Sequence, residues 1–115
     1  MKKINIIKDS DEFTRIIHSI KPFRSKGYLI FVEKVSIPNY LFGITVSNKV
    51  GKAVVRNKVK RQFKSIIDKN NYQNNFKCII IIKKDILERD YHILEKEINE
   101  YFSKCGILED RNEKI

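Results

Sequence analysis

The sequence predicts a single α/β domain, a sandwich of helices against a mostly antiparallel sheet, and three observations carry that prediction. The chain has 115 residues, a length that ordinarily builds one core. Its apolar residues, 42% of the sequence, recur in two periods, helical in some stretches and alternating in others. These stretches follow the order helix, strand, strand, helix, strand, helix, with room for one further short strand that the pattern does not locate. Such an order sets helices on a sheet.

The first helix is announced by Asp9 and Glu12, which have the spacing of a capping box. Phe13, Ile16, Ile17 and Ile20 then recur at helical spacing, and Pro22 with residues 25–27 breaks the pattern. Residues 28–32 read as a strand, closed by a polar turn around 36–39. Residues 40–47 read as its antiparallel partner. There Phe42, Ile44 and Val46 point to one face, and Gly43, Thr45 and Ser47 to the other. The second face is small and polar, compatible with something lying across it. After a loop at 48–51 comes a helix over about 52–68. Residues 78–82, preceded by Phe76, form a short unbroken apolar run whose β-branched content favours a buried strand over a helix. The last helix covers about 90–104, with Tyr91, Leu94, Ile98 and Tyr101 or Phe102 inward. The tail from about residue 105, charged from Glu109 onward, is expected to be loose.

Charge is distributed unevenly. The net charge is +10. Residues 34–67 hold 8 Lys/Arg and no acidic residue, whereas from Asp68 onward 9 basic face 10 acidic residues. Concentrating the excess in one third of the chain is how an electrostatic binding surface is built, and a polyanion is its natural partner. Cys78 and Cys105 match no zinc spacing, and Cys78 lies in an apolar run, so a buried thiol there, in a reducing cytoplasm, is expected. No stretch is long and apolar enough to span a membrane, and no signal peptide is visible.

On a helical wheel, Val55, Val59, Phe63 and Ile66 fall within roughly 80°, with Ile67 at the margin. Arg56, Asn57, Lys60, Arg61 and Lys64 occupy the adjoining arc of roughly 140°, with Ala53 among them, Lys52 near one edge and Lys58 pointing elsewhere. A basic helix face is often merely solvated. An ordinary surface helix, however, mixes signs and gains i,i+4 pairs of a few tenths of a kcal/mol each; this one forgoes them. Arg offers a planar donor fork and Lys a point charge, so together they hold a phosphate backbone without reading its sequence.

The string from Gly51 to Arg61, with Ala53-Val54, Arg56-Asn57 and Lys60-Arg61 in register and the strand 42–47 before it, resembles the signature of the bacterial ribonuclease P protein family. The resemblance spans about residues 3–104. It implies a four-stranded mixed sheet of the ribosomal S5 domain 2-like kind, with a left-handed β-α-β crossover through the basic helix, against the general right-handed preference. It also implies the function: a protein subunit that binds the catalytic ribonuclease P RNA and precursor tRNA and promotes endonucleolytic removal of the 5′ leader. The RNA performs the chemistry with bound Mg2+, and the protein supplies no catalytic residue. By the same resemblance, Lys52, Arg56, Asn57, Lys58, Lys60, Arg61 and Lys64 contact the catalytic RNA. A cleft on the sheet, at Phe13, Ile17, Phe31, Thr45 and Ser47, receives the single-stranded leader. Many members carry Arg where this chain has Lys58 and Lys64, and an aromatic where it has Ile17. Phe13 and Ile17 also suit the inner stripe of their helix, so a core role stands beside the cleft role.

Other functions are less well supported. A different small basic RNA-binding protein, such as a ribosomal protein, shares the composition but not the spacing of the Arg-Asn and Lys-Arg pairs. A protein-only nuclease would need clustered carboxylates or paired histidines. The acids here gather in the C-terminal third, and His18 and His92 lie on different helices. No protein partner, membrane association or metal site of the chain's own is evident from the sequence.

Overall fold

The computed structural model describes residues 5–109. Three helices, α1 (Ser10–Ser19), α2 (Ala53–Asp68) and α3 (Tyr91–Cys105), pack on four strands, β1 (Phe23–Ser25), β2 (Tyr28–Lys34), β3 (Tyr40–Val46) and β4 (Phe76–Ile82). Short 3-10 turns follow β3 and β4, at Asn48–Val50 and Lys84–Glu88. The strand order is β1-β2-β4-β3. β2 runs antiparallel to β1 and to β4, while β3 runs parallel to β4, so the sheet is mixed.

One pairing departs from expectation. β3 is not the partner of β2; β4 lies between them. A short polar connection usually joins neighbouring strands, but this one arches over the start of β4. Asn75 fastens the arch from beneath: its carbonyl accepts from the Val35 N–H at 3.0 Å and its N–H donates to the Asn39 carbonyl at 2.8 Å. β4 takes the central place because it is apolar toward both sides, with Cys78, Ile79, Ile80 and Ile82 all buried. The strand that periodicity does not locate is β1. It joins β2 through the two-residue turn Lys26-Gly27. Gly27 has φ of 90°, and a Cβ there would stand 2.6 Å from the Ile86 backbone nitrogen, so both conformation and space demand glycine.

Two helices have side-chain caps. The Asp9 carboxylate accepts from the N–H groups of Asp11 and Glu12, and Asp90 serves His92 and Ile93 in the same way. The capping box is only half formed, because the Glu12 carboxylate turns instead to Arg15 and Lys77.

The sheet divides the core. On one face Tyr28, Ile30, Phe42, Cys78, Ile80 and Ile82 meet Val59, Phe63, Ile66 and Ile67 of α2 and Leu94, Ile98 and Phe102 of α3. Each such large side chain, once fully buried, stabilises the fold by about 1.5–3 kcal/mol. Ile67, marginal on the wheel, is fully part of this core. On the reverse face α1 alone supplies a helix, setting Ile16 against Phe31 and Ile79. The tail is better anchored than its charge suggests: Ile107 is buried, Leu108 bridges to Tyr72, and the Glu109 N–H donates to the Asn71 carbonyl. That docking corrects the loose tail expected from about residue 105 as far as residue 109; the rest of that segment lies outside the described residues.

Candidate nucleic-acid interface

α2 begins where β3 ends. After Val46, the Ser47 hydroxyl accepts from the Lys49 N–H and starts the 3-10 turn, whose Val50 is buried as an anchor. Gly51 then turns the chain at φ of 150°, a region open to glycine. Lys52 is the N-cap of α2 and gives no side-chain hydrogen bond, and the first turn holds no acid. The positive end of the helix dipole is therefore not offset by a local anion.

The seven predicted contact residues share this helix and its cap but not one environment. Lys52, Asn57, Lys58 and Arg61 are exposed, whereas Arg56, Lys60 and Lys64 are half-buried at the flank of the core stripe. Arg56 is partly engaged already, donating from its guanidinium to the Gly51 carbonyl at 2.8 Å. Among the described residues, no ion pair engages Lys52, Arg56, Lys58, Lys60, Arg61 or Lys64. The ion pairs there lie elsewhere, as at Lys26–Glu88, Lys69–Glu95 and Arg89–Glu97. The helix thus carries its positive charge without an ion-pair partner among the described residues.

The predicted cleft residues lie on the reverse face of the sheet and at its rim. Phe13 and Ile17 of α1 are half-buried over it, Thr45 is exposed, and Ser47 is half-buried where β3 gives way to the turn. Phe31 is different. At 4% exposure it is locked between Ile16 and Ile79, so its ring is a core element rather than an open stacking platform. Gly43 gives Phe13 its seat, since a Cβ there would lie 3.0 Å from the ring. Leu29 and Ile81, which sequence reasoning did not single out, are half-buried beside Phe31 and extend the apolar floor.

α1 is fixed over this face by charge as well as by packing. Glu12 meets Lys77 of β4 at 2.6 Å, and Arg15 reaches Glu33 of β2 at 2.6 Å. Hydrogen bonds from Arg15 and then from Lys77 hold the Glu12 carboxyl down to about 2. The bond from Arg15 likewise lowers Glu33. These carboxylates are neutralised by their cations and do not form a free acid–base pair.

At the corner where the reverse face reaches the start of α2, Ser47, Lys49, Ile81, Lys83, Lys84 and Asp85 line an open pocket of about 470 Å³. The three lysines were missed in the sequence because two of them fall in a third of the chain whose charges nearly cancel. Their signal was a Lys-Lys pair directly after a strand. The corner joins the cleft to the basic helix, so a strand of nucleic acid could cross from one to the other over positive charge.

Among the described residues, no three His, Cys, Asp or Glu side chains gather where they could hold a metal. His18 and His92 are both exposed, on α1 and α3. Cys78 and Cys105 are free thiols, and burial pushes Cys78 well up from its ordinary value. No helix among the described residues is long and apolar enough to cross a membrane.

Comparison with known proteins places the family and the fold. Residues 1–106 match the family model described as Ribonuclease P. The ribonuclease P protein component of Bacillus cereus (strain AH187) is 32% identical over 110 residues, covering 93% of this chain and 96% of that protein. That of Bacillus anthracis is also 32% identical, with 93% and 92% covered. Among solved structures, the Staphylococcus aureus RNase P protein superimposes with a TM-score of 0.76 at 20% identity, covering 91% of this chain and 98% of that one. The Thermotoga maritima RNase P protein gives 0.74 at 22% identity, with 85% and 94% covered. The chain belongs to the ribonuclease P protein family, whose members are the protein component of a tRNA-processing ribonucleoprotein endoribonuclease.

Proposed function

We propose that this chain binds the catalytic ribonuclease P RNA through the outward face of α2 and receives the single-stranded 5′ leader of precursor tRNA on the reverse face of the sheet. The observation that carries the reading is the basic face of α2, in register with Arg56-Asn57 and Lys60-Arg61 and without an ion pair among the described residues. Lys52, Lys58, Arg61 and Lys64 neutralise phosphates. Asn57 can both donate and accept, and so reaches a 2′-hydroxyl or a base edge. Phe13, Ile17 and Thr45 border the path of the leader, Ser47 marks its exit, and Phe31 supports the floor from below. Hydrolysis belongs to the RNA subunit with its Mg2+, and the protein's part is to hold and align the two RNAs. The expected compartment is the cytoplasm, where precursor tRNA is made.

The test is cleavage of precursor tRNA by a bacterial ribonuclease P RNA at low Mg2+, with and without the protein. Cleavage at the mature 5′ end that needs both components supports the reading. No stimulation, with folded protein bound to its cognate RNA, would instead leave a general RNA-binding protein.

A further inference from the structure

Val54 is 78% exposed, more than Leu87 at 55% or Ile93 at 62%, the other large apolar side chains that stand out from this surface. A solitary exposed valine is ordinary in most places. This one lies on the first turn of α2, beside the Arg61 edge of the basic arc and between Arg61 and Lys58, both exposed. At 3.6 residues per turn it lies about 20° from Arg61 and about 40° from Lys58, with Asn57 on its other side. A β-branched residue there lowers helix propensity and gains no packing in the free protein. Polyphosphate alone gives it nothing either, since a phosphate has no apolar surface to offer.

We infer that Val54 packs on the face of an unstacked nucleoside of the catalytic RNA, while Lys58 and Arg61 hold the phosphates on either side. The inference rests on the assignment of α2 to that RNA. The surrounding charge selects a polyanion, and the apolar centre selects a polyanion with an exposed base or ribose. In a continuous A-form helix the base faces are stacked away, so the contact favours a loop, bulge or junction. Val54 is therefore a positioning residue that distinguishes folded RNA from plain duplex, which the flanking cations do not.

The experiment measures binding of Val54→Ala and Arg61→Ala to a bacterial ribonuclease P RNA and to a plain RNA duplex, across a salt series. Alanine is the better helix former, so Val54→Ala keeps or raises thermal stability, and a loss of affinity is not a loss of fold. The expected result is binding to the ribonuclease P RNA about three- to tenfold weaker, from the apolar area lost. The slope against log salt stays the same because no phosphate contact is removed, and duplex binding is unchanged. Parent-like binding by Val54→Ala while Arg61→Ala is weakened overturns this inference and leaves the helix assignment standing. Parent-like binding by both variants overturns the assignment itself. Equal weakening on duplex and folded RNA removes the nucleoside contact. Self-association of the RNA-free parent that Val54→Ala abolishes would make the residue a protein contact instead.

Discussion

The Arg56 guanidinium donates to the Gly51 carbonyl at 2.8 Å, across the bend that launches α2 from the end of β3. On the proposed assignment Arg56 therefore holds the helix at its angle to the sheet as well as offering charge to RNA, whereas the exposed Arg61 has the second role alone. Arg61→Ala is expected to weaken binding to ribonuclease P RNA and to lower the slope of log affinity against log salt by about 0.7–0.9, with thermal stability unchanged. Arg56→Ala is expected to do the same and also to cost about 1 kcal/mol of stability. Denaturant melts and salt titrations of the two variants, run in parallel, check the difference.

Phe31 has a different consequence from the one its place in the predicted cleft suggests. Its burial against Ile16 and Ile79 makes Phe31→Ala a cavity mutation, expected to destabilise the fold by about 3–5 kcal/mol. Chemical denaturation measures this directly. A stability loss under 1 kcal/mol would mean that the ring is not a core element.

The seat of Phe13 on Gly43 offers a cleaner probe of the reverse face. A methyl group in Gly43→Ala meets the ring at 3.0 Å, so the ring must shift to make room for it. Overpacking of this kind costs about 1–3 kcal/mol. The expected outcome is unchanged affinity for the catalytic RNA and a reduced preference for leader-bearing over leaderless precursor tRNA, read by competition between the two substrates.

The clamp on α1 predicts a dependence on pH. Glu12 titrates near 2 in the folded protein, below the ordinary carboxylate range, through its bonds to Arg15 and Lys77. A depressed folded pKa stabilises the fold fully above the unfolded value of about 4.3 and loses that contribution as pH falls toward 2. The parent should thus exceed Glu12→Gln in melting temperature at neutral pH, and the gap should narrow between about pH 4.3 and 2. A constant gap across that range would mean that the ion pairs do not hold the helix.

How much of this was legible in the sequence differs from element to element. α2 could be read because apolar and basic residues are sorted to separate arcs, and burial of Val59, Phe63 and Ile66 follows from that sorting. The alternation at Phe42–Ser47 was likewise enough to assign Thr45 and Gly43 to the face opposite Phe42. The partner of β3 was not legible, because strand neighbours depend on what else competes for the centre of the sheet, and β4 comes thirty residues later in the sequence. β1, at three residues, is too short to show a period. The same limit applies to the site. The basic helix is a local pattern, while the corner of Lys49, Lys83 and Lys84 exists only once parallel β3 and β4 end side by side.

The central place of β4 also sets an order of events in folding. Tyr28 must find Ile82, and Val46 must find the same residue from the other side, so the sheet closes only through contacts distant in sequence. A chain emerging from the ribosome delivers every basic residue of α2 before it delivers the first residue of β4. Until then β3 has no ladder partner and α2 no complete floor to pack on. The charge that attracts RNA is thus present before the geometry that orients it, and a nascent or truncated chain ending before residue 76 should bind RNA without discrimination.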